Sequence, residues 1–181
     1  IKQILGNEQV TQYYVVSLIG KTLVLLIAPI NTIVISYLTK RKERLTRSQF
    51  GKAVLAGGGV SLVFFVACQI GTPLFVWLFY RNLYESVKGI VTVVNLAQIL
   101  GLFSAFLFIL VLTFTDERWQ LWIQLTHFCI LLVSSVLAAR TYGMMGFAVA
   151  SLGANSLRVA AVVILGIVKA GKDKGDRNAD R

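Results

Sequence analysis

Residues 39–52, TKRKERLTRSQFGK, carry Lys40, Arg41, Lys42, Arg44, Arg47 and Lys52 against one acid, Glu43, and lie between two long apolar runs. No other stretch so limits what the chain can fold into. A short, densely basic segment between membrane-crossing runs stays on the cytoplasmic face, and so fixes the direction of both flanks. Those flanks, residues 13–38 and 53–79, are each long enough as helix to cover a hydrocarbon core of about 30 Å.

The remaining composition agrees with a membrane setting. The 181 residues are 56% hydrophobic and only 14% charged, with a mean hydropathy of +0.74, whereas a soluble domain carries roughly 25% charge. The net charge of +10 would point to nucleic acid if it were spread over one surface. Instead, the cations cluster in residues 39–52, at Arg118, and in the tail from Lys169 to Arg181. The tail also holds Asp173, Asp176 and Asp180, as a solvated mixed-charge end does, so no nucleic-acid partner is expected. Cys68 and Cys129 lie in separate apolar runs, too few for a disulfide framework or a metal site. The chain opens on Ile1 rather than Met, and the expectation is that its natural beginning lies upstream.

Five apolar runs divide the chain: 13–38, 53–79, 89–114, 119–139 and 144–168. Residues 1–12 form a polar stub, read as the end of a preceding helix and a loop, and residues 169–181 a charged tail. Each run is too long for a strand and lacks strand alternation, so each is read as a helix. The fold class is therefore all-α, a polytopic membrane protein of about five transmembrane helices. With the basic loop inside, the N-terminus lies outside and the tail inside. The inner loops and tail then hold the clustered cations, while the outer ones hold Lys2, Arg81, Lys88 and Arg140. Tyr80, Tyr84, Trp119, Trp122 and Tyr142 fall near the ends of runs, as an interfacial aromatic belt requires.

Polar side chains inside the runs are the candidate functional residues, because each needs a partner or a watery cavity. Lys21 and Arg158 are the cations, and all eight Asp and Glu lie outside the apolar runs. A lone cation at the bilayer centre costs about 2.5–3.5 kcal/mol on insertion scales. Either each faces a cavity that receives an anion, or Lys21 snorkels to the surface and Arg158 binds carbonyls of a neighbouring helix.

The neutral residues group by helical spacing. Gln120, Gln124, His127 and Ser134 form one row; Thr92, Asn95 and Gln98 another; Ser151, Asn155 and Arg158 a third; Gly57, Ser61, Cys68 and Thr72 a fourth. Arg158, Lys21, Asn155, Gln124, His127, Asn95 and Gln98 are the cavity candidates, against the plainer alternative of hydrogen bonds between helices. Pro29 and Pro73 are expected to kink their helices. No phosphate loop, metal constellation, nucleophile–base arrangement or paired intramembrane carboxylate is present, so neither an enzyme nor a cofactor is expected.

GNEQVTQYYVVSLIGK leading into LIAPINTIVISYLTK, then the basic loop, then TPLFVWLFYRNLYES and finally YGMMGFAVASLGANSLR together resemble the C-terminal lobe of bacterial polysaccharide flippases. These belong to the multidrug/oligosaccharidyl-lipid/polysaccharide exporter superfamily. The resemblance covers nearly the whole chain as a pattern of spans. It implies that the five runs are helices eight to twelve of a transporter built from two six-helix lobes. Residues 1–6 would then end helix seven, and an N-terminal lobe of the same protein would be the missing partner.

The implied cargo is a polyprenyl-diphosphate-linked oligosaccharide, and the implied location is the bacterial inner membrane. Lys21 and Arg158 suit the diphosphate by residue type and depth. Two other readings remain open: a multidrug or small-molecule exporter of the same superfamily, and a non-transporting membrane scaffold. The exporter would need intramembrane Asp or Glu to hold a cation, and the runs contain none. A scaffold would bury its polar rows between helices, whereas a transporter lobe would leave them on one open face.

Overall fold

The structure, a computed structural model, describes residues 2–40, 46–112 and 114–170. Arg41, Lys42 and Arg44 of the basic loop, and tail residues 171–181, lie outside the described residues. Helices α1 (Lys2–Lys40), α2 (Arg47–Phe79), α3 (Arg81–Val87), α4 (Val91–Leu112) and α5 (Glu117–Lys169) account for nearly all of them. No strand occurs among the described residues. All but the short α3 are long and apolar enough to cross a membrane.

Three helix boundaries have identifiable local causes. In α1, Gly6 takes φ 77° and ψ 170°, which breaks the helix where the sequence places the end of a preceding one. In α2 the helix starts at Arg47, six residues before the expected 53. Thr46 caps it: its hydroxyl accepts from the Gln49 N–H, while the Gln49 side chain accepts from the Thr46 N–H. This reciprocal box satisfies two otherwise orphaned donors. Pro29 and Pro73 are both carried inside continuous helix, so the expected kinks do not interrupt α1 or α2.

The third cause shapes the whole C-terminal half. A straight helix the length of α5 would run about 80 Å, yet α5 folds back on itself. His127 bonds Asn155, Lys169 lies over the Trp119 ring, and Gly146 packs on the Ala138 carbonyl. Each pair is centred close to Gly143, whose φ of 59° and ψ of −141° belong to a region essentially reserved for glycine. α5 is thus a helical hairpin, with limbs 117–142 and 144–169. The sequence expectation of a turn at 140–143 contracts to one residue, because Arg140 to Tyr142 remain helical.

Two apolar clusters hold opposite ends of the bundle. One joins Val15 and Val16 of α1, Val76 of α2, Val91 and Val94 of α4 and Ala148 of α5. The other joins Phe50 of α2, Leu107 and Val111 of α4, Phe114 of the turn after α4 and Val162 of α5, with Val34 of α1 packed against it. Successive long segments therefore alternate in direction. α4 lies at the centre, in contact with α1, α2 and α5. Arg47, Lys52, Arg118 and Lys169 all fall at the Phe50 end, whereas Arg81, Lys88 and Arg140 fall at the Val16 end.

Candidate functional site

Two layers of polar residues lie against α4, one toward α2 and one toward the α5 hairpin. The first ties α4 to α2. Asn95 is fully buried; its Nδ2 donates to the Cys68 carbonyl at 3.1 Å and to Gln69 Oε1 at 3.0 Å. Its Oδ1 accepts from Thr72 Oγ1 at 3.2 Å, and Gln69 Nε2 donates to Thr92 Oγ1 at 2.9 Å. Both ends of the Asn95 amide are therefore engaged between helices. Asn95 thus lies buried between two helices, where its amide finds partners on α2. Gln69, which the spacing argument passed over, shares a helical row with Thr72 three residues on, and that spacing was the available signal.

Removing this amide should be felt by the fold. Hydrogen bonds between membrane helices average about 0.6 kcal/mol, with a ceiling near 1.7. Because three partners lose Asn95 together, Asn95→Ala is expected to destabilise the protein by about 1–2 kcal/mol. Denaturant titration in detergent micelles measures this, and an unchanged midpoint would mean the layer contributes nothing.

The second layer joins α4 to the α5 hairpin. Asn155 Nδ2 donates to the Ala97 carbonyl at 2.8 Å, and Asn155 Oδ1 lies 3.2 Å from His127 Nε2 on the other limb. The absent side chain of Gly101 makes room for the Asn155 amide, which lies 3.4 Å from where a Cβ would stand. One turn further along, Arg158 is half-buried, with its guanidinium carbon 5.6 Å from the centre of the Phe108 ring. Its Nε is buried and makes no hydrogen bond with a described residue. The Phe108 contact had no sequence signal, since it depends on how α5 lies against α4.

The other candidates occupy different surroundings. Gln98 leaves the row of Thr92 and Asn95 and turns to α1, where its amide lies hard against Gly20; its Oε1 is buried without a partner among the described residues. Lys21, the next residue of α1, is exposed, and its ammonium sits 4.3 Å from the centre of the exposed Tyr14 ring. Gln124 is exposed on the first limb of α5. Gln120, from the same expected row, is buried and donates to Thr115 instead, and Ser134 bonds its own helix. The structure thus brings His127, Asn155 and Arg158 together and leaves Lys21, Gln124, Gln98 and Asn95 apart from them.

Outside the long helices, Lys88 bonds Glu85. That hydrogen bond, reinforced by the carboxylate charge, holds its ammonium above the usual range. Both side chains are exposed, so the pair locks the turn without marking a site. Among the described residues, no group of three His, Cys, Asp or Glu lies together as a metal would require. Compared with protein-family models, curated proteins and solved structures, the chain finds no match.

Proposed function

We propose that the chain is a five-crossing portion of a bacterial inner-membrane transporter lobe that flips a polyprenyl-diphosphate-linked oligosaccharide. Arg158 is its principal anion-holding residue. The observation that carries this is the state of Arg158: a guanidinium half-buried in an apolar bundle, Nε without a hydrogen-bond partner among the described residues, packed over the Phe108 ring. With every Asp and Glu placed outside the apolar runs, a phosphate is the natural counter-charge, and a guanidinium grips two of its oxygens at once. Lys21, exposed on α1, serves the same cargo nearer the other surface.

In this arrangement each limb of α5 crosses once, giving five crossings with α1, α2 and α4. The Phe50 end, where Arg47, Lys52, Arg118 and Lys169 lie, faces the cytoplasm by the positive-inside rule. An N-terminal lobe of the same protein would face this one and complete the path, as the family resemblance implies. Paired repeats rocking about a midplane site are the common design of such transporters.

A non-transporting scaffold is the second reading, and the buried Thr72–Asn95 pair, tied between α2 and α4, favours it. The lipid that the purified protein retains separates the two. A transporter of this cargo should bind a polyprenyl diphosphate at least about tenfold more tightly than the uncharged polyprenol, given the 1.5–3 kcal/mol typical of hydrogen bonds to charged groups. Equal retention of both lipids would leave only the scaffold.

A further inference from the structure

The hydrogen bonds around Asn155 decide the state of the only histidine in the chain. Asn155 faces the Ala97 carbonyl on one side and His127 Nε2 on the other. A carbonyl only accepts, so the amide NH2 must point at Ala97 and the amide oxygen at the imidazole. That oxygen also only accepts, so His127 must donate from Nε2. A neutral imidazole carries one proton; with that proton held on Nε2, Nδ1 keeps its lone pair.

We infer that His127 is a proton-binding residue of the α5 hairpin, loaded at Nδ1, with Asn155 as the positioning residue that fixes its tautomer. Among the described side chains, the other helices offer no competing group at this level. α4 has no titratable side chain from Val91 to Leu112, and within residues 53–79 α2 has only Cys68, buried in the layer with Asn95. On α1, the Lys21 ammonium is on Tyr14, and the Tyr13 ring is on Phe147. On the first limb of α5, Cys129 is exposed. The facing limb contributes Arg158, one turn beyond Asn155.

Loading Nδ1 therefore puts a second cation beside Arg158 on the opposite limb. Two like charges in a low-dielectric setting repel, so loading weakens the closure of the two limbs even though the imidazolium still donates from Nε2 to Asn155. This inference rests on α5 and the Ala97 carbonyl of α4, not on the identity of the cargo.

The protein labelled with nitrogen-15 and held in phospholipid nanodiscs provides the test, because one histidine gives one pair of imidazole resonances. The neutral ring should be the Nε2–H tautomer, and Nδ1 should gain its proton as the pH falls from about 8 to 4, since the Arg158 charge opposes loading. Asn155→Ala removes the acceptor, and the excess of Nε2–H over Nδ1–H should fall by about threefold to tenfold. A neutral ring protonated on Nδ1, or a ring that never titrates across that range, would overturn the inference. So would a variant whose tautomer ratio equals that of the wild type. If Asn155→Ala does not fold, the wild-type spectrum decides alone.

Discussion

Gly143→Ala and Gly146→Ala should each weaken the closed α5 hairpin, by about 1–3 kcal/mol apiece. The causes differ. Gly143 sits at φ 59° and ψ −141°, where any Cβ strains against its own backbone. Gly146 lies so close to the Ala138 carbonyl that a Cβ would collide with backbone, and backbone has no rotamer by which to retreat. Together the two changes cost about 2–6 kcal/mol, which at its upper end reaches only the lower bound of the roughly 5–15 kcal/mol typical of a domain, and the double variant is expected to accumulate less folded protein than either single one. Gly153→Ala is the control, because a Cβ there meets open space; it should change stability by no more than about 0.5 kcal/mol. Unfolding midpoints in one detergent compare all three, and Gly146→Ala matching Gly153→Ala would mean that the limbs do not close on that glycine.

The long helices were legible because apolar length is a blunt signal, and five runs separated by short polar turns left little choice of architecture. The ends were less legible. Apolarity begins at Ala53, but α2 begins where Thr46 and Gln49 cap each other, a local polar signal in TRSQ that a hydropathy reading passes over. At 140–143, Arg140 looked like part of a turn, yet a single glycine reverses the chain and Arg140 stays helical.

Site residues were legible as a set but not in their grouping. Spacing along one helix says which side chains share a face, and it says nothing of what stands opposite. α4 is surrounded, so Asn95 met α2 while Gln98, three residues later, met α1. Ser151, Asn155 and Arg158 share a row in α5. Asn155 found α4 and the other limb, Arg158 found an aromatic ring, and Ser151 bonded its own helix. Whether a row of polar residues ties helices or faces a cargo is decided by the neighbour, and the neighbour is a tertiary fact.

Arg158→Ala carries the largest functional expectation. If the guanidinium holds the cargo diphosphate, its loss removes a forked, charge-assisted contact, and transport should fall by roughly 10- to 100-fold. Folded protein should stay near its wild-type amount, because Nε gives up no hydrogen bond to a described residue; what is lost is packing on Phe108. Arg158→Lys keeps the charge without the fork, so it should recover only part of the activity. A helix-tying arginine behaves differently: the folded amount falls, and activity falls in proportion.

Lipid-linked oligosaccharide translocation per folded molecule, measured for wild type and Arg158→Ala in the full protein, puts the transporter proposal to its most direct test. The expected result is a loss of at least about tenfold per folded molecule. Wild-type translocation per molecule with alanine at 158, or no translocation by the wild-type protein itself, would contradict it.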